Sequence, residues 1–185
     1  MRRYSSPQEA LKNVFGYDTF RGLQESAINA VLEGRDALVL MPTGGGKSLC
    51  YQIPALLRDG VAVVISPLIA LMQDQVDALE EVGVKAAFWN STQSFEEIGE
   101  IRRRVLAGDI DLLYVSPERA VLGSFRQLLS QISVALFAID EAHCVSIWGH
   151  DFRPDYRALT FLREEFPEVP RIALTATADE KTREE

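Results

Sequence analysis

Cysteine is scarce in this sequence: Cys50 and Cys144 are the two in 185 residues, far apart and in no C-x-x-C pair. That excludes a disulfide framework and reads as two reduced, partly buried thiols. His143 beside Cys144 does not make a zinc site, because neighbouring residues rarely furnish a tetrahedral set. Long apolar runs are missing too, and none approaches the roughly 20 residues a membrane helix needs. Met1-Arg2-Arg3-Tyr4-Ser5-Ser6 leads into no apolar signal core. The expectation is a cytoplasmic chain (bacterial cytoplasm or nucleoid, nucleus if eukaryotic) with no membrane partner. Asn90-Ser91-Thr92 matches a glycosylation acceptor, which that compartment leaves unused. Positive charge is in deficit, 19 Lys and Arg against 27 Asp and Glu, net −8. A generic basic coat for nucleic acid is excluded, although a local strand-binding groove is not. There is no internal repeat, low-complexity segment or linker-like stretch. With 47% hydrophobic and 25% charged residues, residues 1–185 read as one globular domain, 1–34 forming N-terminal helices.

What the chain has is organised around Met41-Pro42-Thr43-Gly44-Gly45-Gly46-Lys47-Ser48. An uncharged apolar run, 37–40, precedes it, and residues 49–57 read as an apolar-faced helix. Strand, glycine-rich turn, helix is the context of a phosphate-binding loop. Gly44, Gly45 and Gly46 carry no Cβ, so the backbone can curl and aim N–H groups inward. The positive end of the following helix adds to that field. In this reading Thr43 to Gly46 cradle phosphates, Lys47 reaches the β- and γ-phosphates and Ser48 holds Mg²⁺. The strict pattern opens with Gly, and here that position is Met41. A dinucleotide fingerprint is excluded, because Leu49 stands where its third Gly is needed.

The rest of the chain alternates helix and strand. Ser6, Pro7 and Glu9 make a capped helix start running to about Phe15. Helices are expected over 22–33, with Leu23, Ala27, Ile28, Val31 and Leu32 on one face and Gly34 as stop, and over 68–82, with Leu68, Leu71, Met72, Val76, Leu79 and Val82 inward and Gly83 as stop. A helix capped by Ser94 and Glu97 closes at Gly108, and two more cover 124–131 and 156–166. Strands are expected at 61–66, 85–89, 111–115, 134–140 and 171–175. Asp179 to Glu185 reads as a helix just beginning, where natural domains rarely end, so a truncated chain is expected. The alternation predicts an α/β, RecA-like doubly wound fold: a mostly parallel sheet with helices on both faces. Ligands in such sheets sit at strand carboxyl ends, where the phosphate loop, Ser66, Ser116, Asp140 and Thr175 fall.

Asp140-Glu141-Ala142-His143 follows the most apolar strand. An acid there, downstream of a phosphate loop, is the second half of an ATPase site. Asp140 would hold Mg²⁺ through its water shell, and Glu141 would orient and deprotonate the attacking water. Thr175-Ala176-Thr177 places two hydroxyls at the last strand's end.

In this order, Gly44 to Ser48, Asp140 to His143 and Thr175 to Thr177 resemble motifs I, II and III of superfamily 2 helicases, which adds His143 to the catalytic set. Three further stretches are similar to the RecQ family of DNA helicases: Phe15 to Gln24, Ser66 to Gln75, and Cys144 to Tyr156. The resemblance implies that Gln24 reads the adenine edge while Tyr17 and Arg21 stack on its faces; taken alone, Gln24 reads as an exposed helical amide. It implies that Ser66, Pro67 and Gln75 hold a nucleic-acid backbone, with Ser116-Pro117-Glu118-Arg119 a further contact. It also implies that Trp148, His150, Phe152 and Arg153 form an aromatic loop that stacks bases and grips phosphates of a single strand. Ile147 departs from the Gln common in the family. Arg102-Arg103-Arg104 lies outside these motifs and reads as a solvated face.

The implied activity is ATP- and Mg²⁺-dependent 3′–5′ translocation on single-stranded DNA and unwinding of tailed duplexes. The implied partner is a second RecA-like domain that supplies an arginine finger. Neither that domain nor the family's zinc-binding and winged-helix domains lies within these residues, so near-inactivity of this chain by itself is expected. Two other readings compete: a DEAD-box-type RNA helicase, against which His143 and the Trp148 to Tyr156 loop weigh, and a nucleotide-gated binding module, against which Lys47, Asp140 and Glu141 weigh. A GTPase is disfavoured, since no N-K-x-D motif occurs.

Overall fold

The apolar runs conceal an alternation of period two, and that alternation builds the layers. In β2 (Val61–Ile65), Val61, Val63 and Ile65 pack on one side of the sheet and Ala62 and Val64 on the other. Leu112 and Tyr114 of β4 (Leu112–Val115) oppose Leu113 and Val115 in the same way. Successive Cβ atoms point to opposite faces of a strand, so a strand covered on both sides must be apolar throughout. The computed structural model describes residues 4–41, 46–140 and 161–176.

With β1 (Ala37–Met41), β3 (Ala86–Trp89), β5 (Val134–Ile139) and β6 (Arg171–Ala176), these strands form one six-stranded sheet in the order β1-β6-β5-β2-β4-β3. Every pairing among them is parallel. One face carries α1 (Pro7–Ala10, running on as a π-helical turn, Leu11–Phe15), α2 (Gln24–Leu32), α3 (Leu49–Leu57) and α4 (Ile69–Glu81). The other carries α5 (Phe95–Leu106), α6 (Pro117–Ala120), α7 (Gly123–Ser130) and α8 (Phe161–Glu165). The expected RecA-like doubly wound architecture is therefore observed. Among the described residues, no helix is long and apolar enough to cross a membrane.

Several sequence expectations change in detail. Ser6 caps α1 as read, accepting from the Glu9 N–H, but the Glu9 carboxylate reaches Ser5 rather than closing a box on Ser6. Gly22 takes a φ of 50°, which a right-handed helix cannot continue, so α2 starts at Gln24 and Leu23 faces solvent. On α4, Met72, Val76 and Leu79 are buried whereas Leu71 and Val82 are exposed; the inward stripe is narrower than the apolar periodicity. The capping box of Ser94 and Glu97 forms in full. The short helix α6, with Pro117 at its first position, was not expected. Of the helix expected over 156–166, α8 is observed; residues 156–160 and the helix start after Asp179 lie outside the described residues.

Candidate nucleotide-binding site

Met41 is the last residue of β1 and is buried in the core. The phosphate-loop pattern departs from Gly at this position because the chain is still strand there and its side chain packs in the core between the sheet and α2, α3 and α4. Pro42, Thr43, Gly44 and Gly45 lie outside the described residues. The chain resumes at Gly46 with a φ of 77°, left-handed backbone that favours glycine. A Cβ on Gly46 would sit 2.5 Å from Gln24 Nε2, so that amide would have to move to admit one.

Lys47 and Ser48 then lead into α3. Ser48 makes no side-chain cap bond at the helix start. The Lys47 Nζ lies 3.7 Å from Asp140 Oδ1, with the two side chains 18% and 9% exposed. That is ion-pair range but longer than an N–H···O bond. Asp140 is fixed at the tip of β5 by its own N–H, which donates to the Ile65 carbonyl at 2.8 Å. The two halves of the expected ATPase site therefore meet over the carboxyl edge of the sheet.

Gln24 is not an exposed amide, as its sequence alone implied, but 2% exposed. Its Oε1 accepts from the Arg21 N–H at 2.8 Å and its Nε2 donates to the Gly46 carbonyl at 2.8 Å. Tyr17, Arg21, Gln24 and Gly46 line one cavity of about 170 Å³ together with Leu11 and Leu49. The adenine-reading candidates and the phosphate loop thus share a wall. A second cleft, about 320 Å³, shares Tyr17, Gly46 and Leu49 and adds Ser48, Gln52 and Gln75. Gln75 Oε1 is buried without a hydrogen-bond partner among the described residues.

The strand-binding candidates divide. Ser66 and Ser116 sit fully buried at the tips of β2 and β4. Ser66 Oγ accepts from the Leu68 N–H at 3.1 Å, with Pro67 between them, and Ser116 Oγ has no partner among the described residues. Gln75 is grouped with Ser48 rather than with Ser66 and Pro67. Glu141, His143, Trp148, His150, Phe152, Arg153 and Thr177 lie outside the described residues. Thr175 is buried in β6, opposite Leu40 of β1.

One feature escaped the sequence. Tyr51 of α3 and Tyr114 of β4 are buried with their hydroxyls 3.2 Å apart. Burial first, then Tyr114 and Asp140, push the Tyr51 phenol well above its ordinary value, so it stays neutral beneath the site. Apolar patterning alone gave no sign that these two rings meet. A hollow of about 690 Å³, lined by Tyr4, Leu32 and Arg58 among others, lies toward the amino ends of the strands and contains no candidate site residue.

One hydroxyl and one carboxylate, Ser48 and Asp140, are the hard oxygen donors that suit Mg²⁺. Among the described residues no group of three or more His, Cys, Asp or Glu is placed to hold a metal. A magnesium ion there would complete its shell with phosphate oxygens and water, as that ion ordinarily does. The residues present fit the group.

Fold and site together define a RecA-like domain of the phosphate-loop class. The chain belongs to the DEAD/DEAH box helicase family, whose model matches residues 21–185. It is 56% identical over 175 residues to the ATP-dependent DNA helicase RecQ of Haemophilus influenzae, covering 95% of this chain and 28% of that protein. It is 54% identical over 173 residues to the Bacillus subtilis protein of the same name, covering 92% of this chain and 29% of that one. The chain thus spans under a third of these relatives, and the RecQ resemblance read from the motifs is borne out over nearly all of it. Its fold also matches the helicase MrfA, solved bound to DNA, with a TM-score of 0.75 at 21% identity over 97% of this chain and 27% of that one.

Proposed function

We propose that this chain is the first motor domain of a RecQ-like, ATP-driven helicase that translocates 3′–5′ along single-stranded DNA and unwinds tailed duplexes. The observation that carries the reading is the Lys47–Asp140 approach at 3.7 Å, beside the Gln24–Gly46 bond at 2.8 Å. Identity above 50% to proteins named as DNA helicases supports DNA, rather than RNA, as the track. The DNA in the MrfA structure is consistent with that.

In this assignment Lys47 offsets charge on the β- and γ-phosphates, Ser48 and Asp140 hold Mg²⁺, and Glu141 orients water. ATP supplies the phosphoanhydride whose cleavage drives movement. Gln24, Tyr17 and Arg21 hold the base, and Thr43 to Gly46 hold the phosphates. Ser66 and Pro67, with Trp148, His150, Phe152 and Arg153, are assigned to hold the strand, while Gln75 lines the Ser48 cleft. A second RecA-like domain elsewhere in the parent protein completes the site. An arginine finger is worth about 10³–10⁵ in rate, so this chain by itself turns over slowly and does not unwind.

The deciding experiment compares unwinding of a 3′-tailed DNA duplex and an RNA duplex by the parent protein with ATP and Mg²⁺. Unwinding of DNA alone is expected. A preference for RNA would transfer the domain to the RNA-helicase reading, and robust DNA-stimulated hydrolysis by this chain alone would refute the need for a second domain.

A further inference from the structure

Tyr51 and Tyr114 bring two hydroxyls into a core that does not need them. The residues are 1% and 0% exposed, with their rings edge to face at 6.4 Å between centroids and their hydroxyls 3.2 Å apart. Phenylalanine would fill nearly the same volume without the cost of taking a hydroxyl out of water. The alternation of the sheet tells where the rings stand. Tyr114 of β4 and Ala138 of β5 both pack in the core on the α3 side. Asp140 follows Ala138 by two residues, and its N–H still donates into the ladder, to the Ile65 carbonyl at 2.8 Å. Its side chain therefore keeps to that same side. Lys47 and Tyr51 are four residues apart where the chain enters α3, with the Cys50 N–H already donating to the Lys47 carbonyl at 3.0 Å, so they too share a face.

A count of protons leaves one to spare. Two phenols carry two donor protons, and their mutual bond uses one. The Gln52 amide nitrogen, 3.5 Å from the Tyr114 hydroxyl, can only donate to it. Among the described residues neither hydroxyl makes a further hydrogen bond, so one phenolic proton remains to be given. The carboxylate within electrostatic reach is Asp140. Burial is the largest cause that raises both phenols above their ordinary value, and the Asp140 charge adds to it in each. Asp140 has a use for such a donor. Its Oδ1 faces Lys47 at 3.7 Å, longer than a hydrogen bond, and its side chain is 9% exposed. When Lys47 turns to the phosphates of a nucleotide, the carboxylate loses that cation where little water can replace it.

We infer that Tyr51 and Tyr114 are positioning residues for Mg²⁺: the spare phenolic proton steadies the Asp140 carboxylate, directly or through one water, while Lys47 serves the phosphates. The inference rests on the reading of Ser48 and Asp140 as the pair that holds the metal. A neutral donor suits the task. It fixes the direction of the carboxylate and leaves the negative charge to the ion and its water shell, whereas a second cation would compete with the ion. The phenols touch neither nucleotide nor metal and act through Asp140.

The test is the Mg²⁺ gain of this chain: its affinity for a fluorescent ATP analogue with the ion, divided by the affinity without it, read by anisotropy. Tyr51→Phe keeps the ring and removes the hydroxyl. It is expected to lower the gain about fivefold, the weight of one ordinary hydrogen bond, with metal-free affinity unchanged. Tyr114→Phe is expected to lower the gain about twofold, because Tyr51 then loses the partner that orients it. In an Asp140→Asn background, Tyr51→Phe is expected to lower the gain no further, since the group it acts through is already changed. Thermal melts show that each variant is folded, and if Tyr51→Phe is not, Tyr114→Phe carries the same comparison. A folded Tyr51→Phe chain with the parent's gain overturns the inference and leaves the motor reading standing. A loss of affinity that is equal with and without Mg²⁺ overturns it too, because that is the mark of packing. A parent chain with no gain at all removes the metal assignment of Ser48 and Asp140, and the inference falls with it.

Discussion

The Lys47 ammonium faces the Asp140 carboxylate at 3.7 Å across the carboxyl edge of the sheet. The two arrive there by different routes, one from the turn into α3 and the other from the tip of β5. Hydrogen bonds to charged groups contribute about 1.5–3 kcal/mol each. Lys47→Met should therefore weaken binding of a fluorescent ATP analogue with Mg²⁺ about 10- to 100-fold. Asp140→Asn should remove most of the Mg²⁺ dependence while leaving metal-free binding nearly intact. Unchanged affinity in Lys47→Met would contradict the phosphate assignment.

Gln24 predicts something its family role alone does not. Its amide joins Arg21 to Gly46, so it ties the base-reading segment to the phosphate loop. If that tie positions the loop, Gln24→Ala will weaken tripolyphosphate as well as ATP, by about fivefold, the value of one or two neutral hydrogen bonds. A residue that only touches adenine would leave tripolyphosphate binding untouched. Competition titrations against the fluorescent analogue separate the two outcomes.

The strands were legible because a strand covered on both faces must be apolar along its whole length, as β2 and β5 are. The Ser6 and Ser94 caps were legible because capping is local chemistry. Lys47 was legible because it closes a glycine-rich turn into a helix, and Asp140 because it sits at the end of a buried strand. What stayed hidden depends on distant contacts. Gln24 and Gly46 are 22 positions apart, and nothing near Gln24 announces that its amide is buried. Leu71 and Val82 fit the helical period of α4 but flank its seam, and periodicity does not locate the edge of a stripe. Gln75 was grouped with Ser66 by motif, whereas the turn of α4 carries it to the Ser48 cleft.

Cys50 offers a test of packing around the site. It is the second residue of α3, where the helix dipole favours a thiolate. Burial overrides this and pushes the thiol up to about 12. At about pH 8 iodoacetamide should leave the Cys50 peptide unmodified in native protein and label it fully in urea. Mass spectrometry of the digested chain reads this residue by itself. Rapid native labelling would mean that the start of α3 opens far more readily than its burial implies.

The last prediction concerns acid stability. Asp36 precedes β1 and Arg171 opens β6, and the pair fastens the amino ends of these adjacent strands. The Arg171 N–H donates to Asp36 Oδ1 at 2.9 Å, and its guanidinium donates to Oδ2 at 2.6 Å. Burial alone would raise the Asp36 carboxyl, but the hydrogen bonds and charge of Arg171 outweigh it and hold it below the ordinary 3.8. The folded state then binds fewer protons than the unfolded chain as pH approaches that value. The pair's contribution is thus complete above the unfolded value and is lost as pH falls through the lower, folded one. The Asp36 side chain is 54% exposed, so solvent screening limits the contribution to about 1 kcal/mol. Urea unfolding should show Asp36→Asn less stable by about that amount at about pH 7, with the gap closing as the pH falls below the ordinary carboxylate range. A gap that persists at the acid end would mean that the substitution acts through the Arg171 backbone bond or local packing rather than through the carboxylate's charge.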